Sequence, residues 1–182
     1  VNSKKDGIIY QLVFNLTPFY AESGGQVGDI GHIESNDGDI IHIYDTIKEG
    51  NLTVHLCKNL PKKIDQIFRA VVDHSNRYRI QCNHTATHLL HQALKNILGD
   101  HVEQKGSRVS SENFRFDFSH FSKLDRKDMV AVENFVNSRI QNAIHLEENR
   151  NVPTKKALES GAIGLFGEKY GDVVRTIKFG KS

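Results

Sequence analysis

Three histidines and a cysteine fall within ten residues, CNHTATHLLH, from Cys82 to His91. Imidazole nitrogens and thiolates are the usual ligands of zinc. An advance of about 100° per residue puts His84, His88 and His91 on one helix face and Cys82 on the opposite one. His84 and His88, at i and i+4, can hold one ion between them. The pattern is not the metalloprotease H-E-x-x-H, because residue 85 is Thr and the glutamate base is missing. Two imidazoles are also an incomplete set, since zinc takes three or four protein ligands. His91, His101, His120 and His145 remain candidates, none with motif spacing. On spacing alone, metal ligands and hydrogen-bonded histidines stay equally open. No Ser-His-Asp or Cys-His arrangement points to a covalent nucleophile, so no catalytic residue is assigned beyond the metal pair.

These histidines need a helix to align them. DHSNRYRIQCNHTATHLLHQALKNILG, residues 73–99, has one, with Asp73 or Ser75 as N-cap, Gly99 as the stop, and Ile80, Leu90, Leu94 and Ile97 as its apolar stripe. Before it, IIYQLVF, DIIHIYDTI, LTVHLC and QIFRAVVD read as short strands, with Ile41, Ile43 and Asp45 on one face of the second. SNDGDI is a hairpin signal. The spacing predicts a small antiparallel β-barrel over residues 1–72. After the helix, SRVSSENFRFDFSHF alternates as a half-buried strand whose Phe114, Phe116 and Phe118 face the core. A second helix is capped by Ser122 and carries Leu124, Met129, Val132, Phe135, Val136 and Ile140 as its stripe. VPTKKAL and VVRTIKFG read as strands around the Gly-rich SGAIGLFGEKYGD. The expected fold is α+β, with a boundary near residue 72 and an α+β domain over 73–182.

The 182 residues are enough to bury a real core. No apolar run is long enough to span a membrane. Two cysteines make no disulfide framework, which fits a reducing, cytoplasmic setting. Residues 1–70 carry seven basic and nine acidic side chains, and residues 71–182 carry seventeen and thirteen. The second part suits a phosphate backbone no better than it suits an ordinary solvated surface. Arg77, Arg79, Lys105, Arg108, Arg115, Lys169 and Arg175 are its candidate phosphate contacts. The start, VNSKKDGIIY, lacks an initiator Met and a signal core, as a piece of a longer chain would.

Five stretches together resemble the editing region of alanyl-tRNA synthetases: TPFYAESGGQVGDIG (Thr17–Gly31), NHTATHLLHQAL (Asn83–Leu94), VEQKGSRV (Val102–Val109), FRFDFSHF (Phe114–Phe121) and SGAIGLFGEKYGDVVRTIKFG (Ser160–Gly180). Free-standing alanyl-tRNA editing proteins share the module, and threonyl-tRNA synthetases have a related one. The resemblance implies hydrolysis of the ester in tRNA(Ala) mischarged with serine or glycine. It implies zinc, with His84 and His88 as the first ligand pair and a C-x-x-x-H pair expected beyond Ser182, so that this chain carries half of the site. Thr87 matches the amino-acid pocket and Gln104 the residue that senses the serine hydroxyl. A site built to hydrogen-bond that hydroxyl discriminates where an apolar pocket cannot. Gly24, Gly25, Gln26, Asp29 and Gly31 match the glycine motif that positions the tRNA 3′ end, although a tight barrel turn explains the glycines nearly as well. ATP would serve only the aminoacylation domain, which this sequence does not contain, and the other domains of a parent synthetase would be partners. A free-standing editing enzyme and a non-catalytic tRNA-binding module are the other readings.

Overall fold

The computed structural model describes residues 2–4, 7–162, 164 and 170–180. Lys169 and most of the Gly-rich stretch before it lie outside these residues. The fold is α+β, as expected. Among the described residues, ten strands and three helices follow in order: β1 (Asn2–Lys4), β2 (Gly7–Leu12), β3 (Gly31–Ser35), β4 (Ile40–Glu49), β5 (Leu52–Cys57), β6 (Phe68–Val72), α1 (His74–Leu98), β7 (Gln104–Val109), β8 (Phe114–Phe118), α2 (Arg126–Gln141), β9 (Leu146–Pro153), α3 (Thr154–Glu159) and β10 (Val173–Phe179).

The chain clusters into two compact units, Val1–Thr87 with Gly106–Phe116, and His88–Lys105 with Asp117–Ser182. The change from strand to helix falls at residues 72–74. The limits of the two units run through α1 and through the β7–β8 hairpin.

In the first unit, six antiparallel strands pair in the order β1-β2-β5-β4-β3-β6. No pairing between the outer strands β1 and β6 is present among the described residues. The SNDGDI hairpin forms between β3 and β4, with Ile33 opposite Ile41. A cluster of Phe19, Ile33, Ile41, Ile43, Cys57 and Val72 makes the core, and Tyr10, Leu12, Phe14, Phe68 and Ala70 pack against it. One expectation for β4 fails. The pairing of β4 with β5 shifts between Ile43 and Asp45. This bulge resets the two-residue alternation, so Thr46, with no exposure, is buried instead of Asp45.

Buried in the same unit is His55. Its Nδ1 lies 3.1 Å from the Leu12 carbonyl oxygen, which can only accept, so Nδ1 carries the proton. Its Nε2, 2.8 Å from Thr17 Oγ1, then accepts from the hydroxyl. The Phe14 and Phe19 rings stand edge-on to the imidazole. Burial pushes the His55 pKa below its ordinary value, and the bond to Leu12 offsets this only in part. The unfolded state therefore binds a proton that the folded state resists. The stability this contributes is complete above the unfolded pKa of about 6.5 and is lost as pH falls below it. Urea unfolding followed from pH 7.5 to 5 is expected to show a decline from this group of up to about 1.4 kcal/mol per pH unit. His55→Gln should flatten that decline.

The second unit contains α2 and the β9–β10 ribbon, which is antiparallel from Leu146 opposite Phe179 to Pro153 opposite Val173. Three sequence expectations are corrected here. The N-cap of α2 is Asp125, whose side chain accepts from the Asp128 N–H at 2.8 Å, and not Ser122. The α2 stripe is covered only in part: Val132 is buried and Leu124, Phe135 and Val136 are half-buried, whereas Met129 and Ile140 are more than half exposed. VPTKKAL is not one strand. It ends β9 at Pro153 and becomes helix α3, because Lys, Ala, Leu and Glu are strong helix formers.

Candidate functional site

Helix α1 carries the histidines on one unbroken run of 25 residues. Asp73 caps it, accepting from the Asn76 N–H at 2.9 Å. Gly99, with φ 113°, ends it. Cys82 is exposed, consistent with its place across the wheel from the histidines. His84 is half-buried, His88 exposed and His91 buried. Burial lowers the pKa of both His84 and His91, so both rings favour the neutral form that coordinates metals.

Within the first unit, His84 meets the glycine motif directly. Its Nδ1 lies 2.7 Å from Gln26 Oε1. The motif forms a tight turn in which Gln26 N–H donates to the Ser23 carbonyl at 3.0 Å, and Ser23 N–H donates back to Gln26 at 3.2 Å. Its two central residues, Gly24 and Gly25, have φ of 59° and 82°. That pair of positive angles is what a two-residue hairpin turn of this hand requires, and glycine adopts it without penalty. The end of β7 then fixes the turn. Val109 N–H donates to Gly25 at 2.8 Å, and Val27 N–H donates to Val109 at 3.0 Å. A β-carbon on Gly25 would sit 2.5 Å from the Ser107 carbonyl oxygen, so the motif needs glycine there for closeness as well. Asn83 Nδ2 donates to the Ser110 carbonyl at 2.9 Å and ties α1 to the same segment.

Asp29 has a different job from the glycines beside it. It is 1 % exposed. Its Oδ2 accepts from the Tyr20 N–H at 2.6 Å and from Arg77 Nη2, and its Oδ1 accepts from Arg77 Nε at 3.2 Å. Thr46 Oγ1 donates to the Asp29 carbonyl at 2.8 Å. Asp29 therefore joins the motif, the β4 bulge and α1. Gly31 begins β3, opposite both Ile43 and Val72. No local sequence signal marks Gly28 or Ser107, and only the close backbone approaches reveal them.

A model of the class II (A) tRNA synthetases matches residues 1–76. The chain is 56% identical to alanine–tRNA ligase of Christiangramia forsetii over its full 182 residues, which are 21% of that protein. It is 53% identical to the enzyme of Flavobacterium psychrophilum, again over 100% of the chain and 21% of the relative. It is 50% identical to that of Bacteroides fragilis over 98% of the chain and 20% of the relative. The chain belongs to the alanine–tRNA ligase family. It spans about a fifth of the length of the curated relatives it matches.

The remaining candidates can be placed on the same elements. Thr87 is buried and its hydroxyl donates to the Asn83 carbonyl at 2.8 Å, one turn back along α1. Its oxygen keeps lone pairs for a further donor. Gln104 is the first residue of β7 and half-buried. Three of the candidate phosphate contacts already have anionic partners: Arg77 with Asp29, Lys105 with Glu103 at 2.8 Å, and Arg175 with Glu148 at 2.9 Å. Among the described residues no three His, Cys, Asp or Glu side chains converge as a metal cluster. The donor set does fit half of a zinc site: two imidazoles one helical turn apart, with burial favouring the neutral form of His84 and its Nδ1 against a carbonyl oxygen. No described helix is long and apolar enough to cross a membrane.

Proposed function

We propose that this segment is the editing part of an alanine–tRNA ligase and hydrolyses the ester of tRNA(Ala) mischarged with serine or glycine. The observation that carries the reading is the histidine pair on α1, with His84 held by the glycine motif. Relatives named alanine–tRNA ligase support the choice of tRNA as partner. His84 and His88 would hold zinc through the lone pairs of their ring nitrogens. When bound, zinc supplies Lewis-acid stabilisation of charge on the ester carbonyl or a more acidic water. Thr87 offers its oxygen lone pairs to the amino-acid end of the substrate. Gln104 senses the serine hydroxyl, since a polar group that the bound substrate covers and alanine leaves unpaired costs about 1–3 kcal/mol. The protein works in the cytoplasm beside the aminoacylation machinery of its parent.

The test uses the full-length protein and seryl-tRNA(Ala). His84→Ala combined with His88→Ala is expected to slow ester hydrolysis by about 100-fold or more, because a catalytic metal contributes several kcal/mol. Aminoacylation with alanine should continue. Unchanged hydrolysis by the double variant would sink the metal assignment.

A further inference from the structure

We infer that Gln26 is the positioning residue for the His84 ligand, so that the glycine motif acts on the metal pair through a side chain and not only on the tRNA end. This rests on the zinc reading above and extends it to a residue outside the ligand set. The geometry is specific. Gln26 Oε1 lies 2.7 Å from His84 Nδ1, across 58 residues of sequence. A carbonyl oxygen has no proton to give, so Nδ1 carries it and donates. The neutral ring then has its lone pair on Nε2, the nitrogen that would face a metal. Ligating histidines are held in this way, with the second nitrogen donating to a carboxylate or carbonyl, which fixes the tautomer and the ring's rotation.

The glutamine itself is fixed by main chain. Gln26 N–H donates to Ser23 and Gln26 O accepts from Ser23. The flanking Gly25 carbonyl and Val27 N–H are both bonded to Val109. The residue before His84 is tied down as well, because the Asn83 side-chain amide donates to the Ser110 carbonyl. The turn is thus held to the last residue of β7 and the helix to the residue after it, and the Gln26–His84 bond closes the triangle. Two positive-φ glycines allow the turn to present its fourth residue, Gln26, to α1. The sequence Ser-Gly-Gly-Gln is then a device for aiming an acceptor.

The experiment is zinc affinity in the full-length protein, measured by competition with a chromophoric chelator, together with the ring 15N spectrum of the metal-free protein. Gln26→Leu removes the acceptor at similar size and is expected to lower zinc affinity about 10- to 100-fold. Gln26→Glu keeps an acceptor at the same reach and should restore it. In the unsubstituted protein the His84 ring should appear as the Nδ1–H tautomer, and in Gln26→Leu that preference should disappear. A His84 ring with its proton on Nε2 in the unsubstituted protein overturns the proposal without any variant having to fold. So does zinc affinity that falls with His84→Ala but is untouched by Gln26→Leu, an outcome that leaves the zinc reading standing. Zinc affinity unchanged by His84→Ala overturns that reading itself.

Discussion

Replacing Asp29 with alanine is expected to destabilise the first unit by about 3–5 kcal/mol, the cost of breaking a buried charge pair from one side. Asp29 is 1 % exposed, and both of its oxygens are used. Its removal leaves the Arg77 guanidinium, itself mostly covered, without its counter-charge. Arg77 would keep one bond, from Nη2 to the Pro18 carbonyl at 2.7 Å. The Tyr20 N–H would lose its acceptor as well. Asp29→Asn should cost less, because one oxygen can still accept from Tyr20 or Arg77. Pairing Asp29→Ala with Arg77→Met should recover part of the loss, since the stranded charge goes with it. Urea midpoints of the four proteins decide the matter. A loss under about 1 kcal/mol for Asp29→Ala would place the pair in the class of exposed ion pairs and would return Asp29 to a binding role.

The contrast between Asp29 and His84 shows what a sequence can disclose here. That His84 and His88 stand one turn apart on one helix is legible because a helix repeats every 3.6 residues and α1 is long enough to express the period. Asp73 as cap, Gly99 as stop and the SNDGDI hairpin were legible for the same reason: their partners lie within a few residues. Asp29 was read as part of a ligand-facing motif because its decisive partner, Arg77, is 48 residues away. Gln26 and His84 are separated further still, and no local pattern encodes such pairs. Period also fails where it is interrupted. The β4 bulge moves the buried position from Asp45 to Thr46, and nothing in DIIHIYDTI marks the extra residue. In α2 the apolar stripe is real, but a stripe states only which face is less polar. Whether something covers it is a tertiary fact, and Met129 and Ile140 stay open among the described residues.

Gly28→Ala is expected to be as damaging as the loss of Asp29, by a different route. Gly28 is buried, and a β-carbon there would overlap the Thr46 carbonyl oxygen, with the Thr46 carbon and nitrogen within 3 Å. Overpacking against side chains costs about 1–3 kcal/mol, because side chains can rotate away. Here the obstacle is backbone at the β4 bulge, and it is already committed. The Thr46 carbonyl accepts from the Glu22 N–H at 2.8 Å, and the Thr46 hydroxyl donates to the Asp29 carbonyl at 2.8 Å. Moving Thr46 aside breaks one bond or both, so the expected loss is about 3 kcal/mol or more, beyond the usual overpacking range. Gly38→Asn is the matching control. Nothing lies within 4 Å of a β-carbon at Gly38, and its φ of 86° belongs to a hairpin turn where asparagine is tolerated. Its unfolding midpoint should move little. Hydrogen exchange supplies the second readout: Gly28→Ala should speed exchange at the Glu22 and Asp29 amides well before it reaches the α1 amides around His84. Equal acceleration at both would mean that the motif and the helix open as one cooperative body. The clash at Gly28 would then reach His84, and the glycine motif would hold that residue through stability as well as through Gln26.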